Sequence, residues 1–109
     1  RDNVVEAALD WINTSNVNVV NPANYELSQN FPNPFNPNTT IKFTIKQEGF
    51  VKLKVYDVSG KEVSSLVKSN LKPGVYYVSF GGNNMSSGVY FYRMVTNGFS
   101  ETKRMMLVK

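Results

Sequence analysis

From Thr39 onward apolar and polar residues alternate with a period of two, the pattern of half-buried strands. Ile41, Phe43 and Ile45 alternate with Thr40, Lys42, Thr44 and Lys46, and Gln47-Glu-Gly49 makes a turn. Val51, Leu53 and Val55 then alternate with Lys52, Lys54 and Tyr56. Asp57-Val-Ser-Gly60 is a tight turn, and Lys61–Lys68 is expected to return with Val63 and either Leu66 or Val67 facing inward. Leu71-Lys-Pro-Gly74 turns again, Val75–Phe80 is a strand, and Gly81–Gly88 is a loop. The last stretch, Gly88 to Lys109, is a hairpin about Asn97-Gly98, because a type I′ turn needs φ > 0 at both central residues. In its first arm Val89, Phe91, Arg93 and Val95 alternate with Tyr90, Tyr92 and Met94. Its second arm is basic and runs to Lys109, as a paired strand rather than a frayed tail.

Upstream the pattern changes. Tyr25 to Thr40 holds three closely spaced prolines, each preceded by Phe or Asn, which excludes both a helix and a central strand. That segment is expected to run extended along the rim, with Phe31 and Phe35 plugging a core edge, and a short strand is expected near Tyr25–Ser28. Thr14–Asn24 reads as an Asn-rich linker and domain boundary, within which Val17, Val19 and Val20 would suit a short strand. Before it, residues 3–13 are expected to form a short helix: Asn3 and Glu6 suit a capping box, and Val4, Val5, Ala8, Leu9 and Ile12 follow helical spacing. Trp11 is expected to pack in an interface. Turns at intervals of roughly 8–12 residues then imply an all-β chain, a seven-stranded antiparallel immunoglobulin-like β-sandwich over residues 25–109 with residues 1–24 as a linker or the tail of a preceding domain.

Composition narrows the chemistry. The 109 residues include neither Cys nor His, which removes disulfides, thiolate nucleophiles, Cys/His zinc sites and histidine general bases. No apolar run reaches 18 residues, so no transmembrane helix is expected. The start at Arg1, without Met or a signal-peptide pattern, suggests a piece of a longer protein. The net charge of +4 is uneven: Arg1 stands against Asp2, Glu6, Asp10 and Glu26 before Ile41, and the excess of Lys and Arg falls after it. Because these lysines are dispersed along strands (Lys42, Lys46; Lys52, Lys54), they read as solvated faces, and no nucleic acid is expected as a partner.

None of the carboxylates forms a sequence pair suited to acid–base work, so no catalytic residue is assigned. Asp57 reads as a turn cap. Asp57-Val-Ser-Gly60 and Asn83-Asn84 lack the dense acidic spacing of a calcium loop, and no metal or cofactor is expected. Pro73-Gly-Val-Tyr-Tyr-Val and Ser87-Gly-Val-Tyr-Phe-Tyr echo one another, a glycine before an aromatic strand each time. Tyr76, Tyr77, Tyr90, Phe91 and Tyr92 would suit a sugar-stacking platform, although alternation sends half of them inward.

Several of these stretches together resemble the type A C-terminal sorting domains of bacterial type IX secretion substrates. The resemblance runs from about Tyr25 to Lys109. It rests on Tyr25-Glu-Leu-Ser-Gln-Asn-Phe-Pro-Asn-Pro-Phe-Asn-Pro37, Lys54-Val-Tyr-Asp-Val-Ser-Gly-Lys-Glu-Val63, Leu71-Lys-Pro-Gly-Val-Tyr76, Ser87-Gly-Val-Tyr-Phe-Tyr-Arg-Met94 and Lys103-Arg-Met-Met-Leu-Val-Lys109. Gly88–Met94 also looks like the immunoglobulin-like domain of flagellar hook-capping proteins. Gly81-Gly-Asn-Asn-Met85 departs from the Trp-Asp-Gly loop common among sorting domains. The resemblance implies a non-enzymatic address that sends cargo through the periplasm and the outer-membrane translocon of a Gram-negative bacterium, to the cell surface or the medium. Implied partners are the translocon, the C-terminal signal peptidase and attachment machinery, and anionic lipopolysaccharide, with cleavage in the Thr14–Asn24 linker.

By carry-over, translocon recognition falls to Gly88, Tyr90, Lys103, Arg104, Met105, Met106, Leu107, Val108 and Lys109. Asn33, Pro34, Phe35, Asp57, Gly60 and Gly74 are expected to be structural. Lys103–Lys109 is expected to be an accessible edge strand, with Met105 or Met106 and Leu107 in the core. The alternatives are a carbohydrate- or surface-binding immunoglobulin-like module, marked by an exposed aromatic row, and a structural spacer of a multidomain secreted enzyme. Oligomeric state is left open by the sequence.

Overall fold

A computed structural model describes residues 22–109. The expected helix over residues 3–13, Trp11, Val17, Val19, Val20 and most of the Thr14–Asn24 linker lie outside the described residues. Seven strands follow in order: β1 (Glu26–Leu27), β2 (Asn38–Ile45), β3 (Gly49–Tyr56), β4 (Glu62–Leu71), β5 (Gly74–Gly81), β6 (Gly88–Thr96) and β7 (Phe99–Leu107). They form two antiparallel sheets, β1-β2-β5 and β4-β3-β6-β7. The described residues therefore form an all-β sandwich.

Period-two alternation decides which residues meet between the sheets. β2 contributes Ile41, Phe43 and Ile45, β3 Val51, Leu53 and Val55, β5 Tyr76, Val78 and Phe80, and β6 Tyr90, Tyr92 and Met94, all buried. Met105 and Leu107 of β7 complete this core, with Leu27 and Phe35 at its rim. Phe43 stacks on Tyr76 with ring centroids 5.5 Å apart. The β6–β7 hairpin has the register its turn predicts. Thr96 faces Phe99, and Asn97 and Gly98 carry the two positive φ values of 43° and 82°.

Two expectations need correction. Val63 is not inward: it is exposed, and Val67 is the buried residue of β4. The register of β4 on β3 skips Leu66 between Leu53/Lys54 and Val63 between Val55/Tyr56. Each skipped residue is a bulge, which breaks simple alternation and blunts an edge strand against foreign pairing. Phe31 is not a core plug either, being 79% exposed. Its backbone bridges Thr40 in both directions at 2.9 Å, so the neighbouring Asn30 takes the inward position. There the Asn30 side-chain amide donates to Thr39 Oγ1 and to the Pro32 carbonyl, both at 3.0 Å.

Candidate functional site

The last strand forms one edge of the four-stranded sheet, and alternation divides its side chains sharply. Met105 and Leu107 point into the core, whereas Arg104, Met106 and Val108 are exposed. Lys103 is half-buried opposite Tyr92, with Nζ 3.2 Å from the Glu101 carboxylate. The core assignment of Leu107 and of one methionine holds, and that methionine is Met105.

The backbone edge of β7 is not open along its whole length. Beside its end lies the segment Asn33–Phe35, in parallel register with Leu107. Asn33 Oδ1 accepts from the Met106 amide at 3.0 Å. The Phe35 amide donates to the Met106 carbonyl and the Val108 amide to the Phe35 carbonyl, both at 2.9 Å. Gln29 Nε2 donates to the Arg104 carbonyl at 2.7 Å. The outward backbone groups from the Arg104 carbonyl to the Val108 amide are therefore occupied. By the same alternation the outward groups of Ser100 and Thr102 are unpaired among the described residues. This corrects the expectation of an open edge over Lys103–Lys109: the open part is the beginning of β7. The clamp follows from local chemistry. Asn33 supplies a side-chain acceptor for the Met106 amide, Pro34 has no N–H to pair, and Phe35 resumes backbone pairing while its ring is buried.

Lys109 is held from the other side. Its ammonium donates to the carbonyls of Asn83 at 2.7 Å and Met85 at 2.8 Å, and its amide donates to Ser87 Oγ at 3.0 Å. The Gly81–Gly88 loop thus forms a carbonyl cup for the lysine. The same loop leads into β6 through Gly88, whose φ of 149° is disfavoured for any residue with a Cβ. Two residues on, the Tyr90 hydroxyl donates back to the Ser86 carbonyl at 2.7 Å. Gly74 (φ 153°) and Tyr76, whose hydroxyl donates to the Lys72 carbonyl at 2.6 Å, repeat the arrangement at the start of β5. The echoed Gly-Val-Tyr of the sequence is thus one corner used twice: glycine bends the entry, and tyrosine ties the strand to the carbonyl four residues behind it. Burial raises the Tyr76 hydroxyl pKa and pushes that of Tyr92 up to about 12. Tyr92 donates to the Ser28 carbonyl at 2.7 Å, joining β6 to the segment leading to the clamp.

Asp57 caps its turn. Its Oδ1 accepts from Ser59 Oγ at 2.7 Å, the Ser59 amide at 2.9 Å and the Lys61 amide at 3.0 Å. These bonds, led by that from the Ser59 hydroxyl, hold its pKa below the usual value. Gly60 closes the turn at φ 89°. No group of three acidic residues among the described residues is placed to hold a metal ion. No described helix is long and apolar enough to cross a membrane.

Of the residues singled out from sequence, Arg104, Met106, Val108 and Lys109 gather on one exposed end of the sandwich, and Asn33, Pro34 and Phe35 adjoin them. Tyr90, Met105 and Leu107 are buried beneath, and Gly88 shapes the corner beside them. Asp57, Gly60 and Gly74 serve turns elsewhere. Sequence reasoning missed Gln29 and the Asn83 and Met85 carbonyls. Backbone acceptors leave no trace in residue identity, although the Gly-Val-Tyr echo was a usable signal for the two corners.

Residues 29–109 match the family described as secretion system C-terminal sorting domain. No curated protein and no solved structure gives a match.

Proposed function

Because this chain belongs to the family of type IX secretion C-terminal sorting domains, we propose that its address is the exposed strip of β7, presented by a clamp and a cup. The chain is a sorting domain, and its cargo travels across the outer membrane of a Gram-negative bacterium to the cell surface or beyond. The observation that carries the finer reading is the division of one short strand between two tasks. Met105 and Leu107 anchor it in the core, while Arg104 and Met106, with Val108 just past its end, are displayed, and Lys109 is held by the Gly81–Gly88 loop.

Such an address exists only in the folded state. The translocon would read side chains along the strip, and strand addition would be limited to the start of β7, around Ser100 and Thr102. Gly88 and Tyr90 contribute by fixing the corner, not by contact. The role is one of recognition, without catalysis. Removal by a signal peptidase and transfer of cargo to anionic lipopolysaccharide would take place upstream of Tyr25.

The test is a fusion of residues 1–109 behind a signal peptide and a fluorescent reporter, in a host with type IX secretion. Deleting Lys103–Lys109 would be a poor control, since it removes two core residues. A triple variant, Arg104→Ser, Met106→Ser and Val108→Ser, leaves the core intact. The intact fusion is expected at the surface or in the medium, and the folded variant in the periplasm. Normal export of the folded variant would sink the reading.

A further inference from the structure

The outer face of the four-stranded sheet carries a second constellation, which shares only Arg104 with the sorting strip. Tyr56 of β3 lies directly opposite Phe91 of β6, and Phe91 opposite Arg104 of β7. One step along, Lys54 faces Arg93, and Arg93 faces Thr102. Directly opposed residues of antiparallel strands share a face, so two rings and three cations stand side by side. A cavity of about 360 Å³ opens among Tyr56, Phe91, Arg93 and Thr102, walled at one end by Val58 and Gly60 of the β3–β4 turn.

Charge on this face is unevenly satisfied. Lys54 Nζ is 3.3 Å from Glu62 Oε1. Arg93 makes only a 3.4 Å contact to Ser100 Oγ, and neither Arg93 nor Arg104 has a carboxylate partner among the described residues. Asp57 also lines the cavity, but its Oδ1 is turned into its own loop. Its other oxygen is left as an acceptor at the end away from Arg104.

We propose that this groove binds an acidic polysaccharide. A pyranose ring stacks on Phe91 and Tyr56, its carboxylate lies on the guanidinium of Arg93 with Arg104 beside it, and a ring hydroxyl donates to Asp57. Ring faces favour the apolar side of a sugar over a bare phosphate, and the fork of arginine matches a carboxylate in two hydrogen bonds. Asp57 at one end and the arginines at the other set the polarity, so a neutral sugar forfeits the stronger half of the site. The site goes beyond the sorting role: Arg104 is common to both, but Tyr56, Asp57, Phe91 and Arg93 lie outside the sorting strip.

The experiment is calorimetric titration of the 109-residue chain with hexagalacturonate, a neutral glucohexaose and hexaglutamate, beside the exposed-site variant Arg93→Gln. Saturable binding of hexagalacturonate is expected, weakening with salt and falling about tenfold or more in Arg93→Gln. Phe91→Leu, which keeps an apolar side chain without the ring face, is expected to weaken it as well. Absence of hexagalacturonate binding would overturn the proposal, as would equal binding by Arg93→Gln. Hexaglutamate binding as tight as hexagalacturonate would also overturn it, by marking an unspecific basic surface.

Discussion

Replacing Phe35 by alanine is the sharpest test of the clamp. The ring is 1% exposed and meets Phe80 edge-on with centroids 6.0 Å apart. Removing a buried phenyl group costs about 3–5 kcal/mol, and the aromatic pair accounts for about 0.5–1.5 kcal/mol of that. A domain of this size has about 5–15 kcal/mol in total, so the variant is expected to stay folded but close to the margin. With a urea slope of about 2 kcal/mol per molar, the midpoint should fall by about 2 M. The loss should also have a location. Phe35 holds the Met106 carbonyl and the Val108 amide at 2.9 Å each, so the Val108 amide should lose hydrogen-exchange protection before the centre of β3 does. Phe31→Ala is the matched control. The same chemistry at a side chain 79% exposed should cost under about 0.5 kcal/mol. A loss below about 1 kcal/mol for Phe35→Ala, or equal losses for both variants, would refute the clamp as a stabilising element.

Gly88→Ala is expected to cost about 1–2 kcal/mol by thermal unfolding, because φ 149° strains any residue with a Cβ although open space surrounds it; an unchanged midpoint would contradict this. Thr96 Oγ1 is buried without a hydrogen-bond partner among the described residues, so Thr96→Val should raise stability by about 1 kcal/mol, and a lowered melting temperature would show that the hydroxyl is satisfied. Tyr92 should ionise near pH 12 in an ultraviolet titration. Its folded pKa lies above the unfolded value of about 10, so this contribution to stability is complete below about pH 10 and is lost as the pH rises toward 12. Tyr92→Phe should flatten that alkaline loss, and an unchanged alkaline profile would contradict the assignment.

How much of this was legible in the sequence depends on whether a feature is local. The strands of Ile41–Ile45 and Val51–Val55 were plain because alternation and β-branching act between near neighbours. The Asn97-Gly98 hairpin was plain because its turn sets its own register. Val63 was misread because two bulges reset the phase of β4, and nothing within the strand marks a bulge that is defined by the partner strand. Phe31 and Phe35 looked equivalent, four residues apart in one proline-rich segment. Only the pairing of Phe31 with Thr40 and of Phe35 with Leu107 sends one out and the other in. The resemblance pointed to Lys103–Lys109 as the address but did not divide it. That division comes from the core beneath and from Asn33, 73 residues away from Met106 in sequence. The lysine cup was illegible for a similar reason, since backbone carbonyls carry no sequence signature.

The central claim is that the exposed side of β7, not the opposite edge of the same sheet, meets the export machinery. Site-specific photocrosslinking in a type IX host tests it most directly, with the photoreactive residue at Arg104 in one fusion and at the exposed Ser65 of β4 in the other. A crosslink to an outer-membrane translocon component is expected from position 104 during export, and none from position 65. Crosslinking of equal yield from both positions, or from 65 alone, would contradict the account.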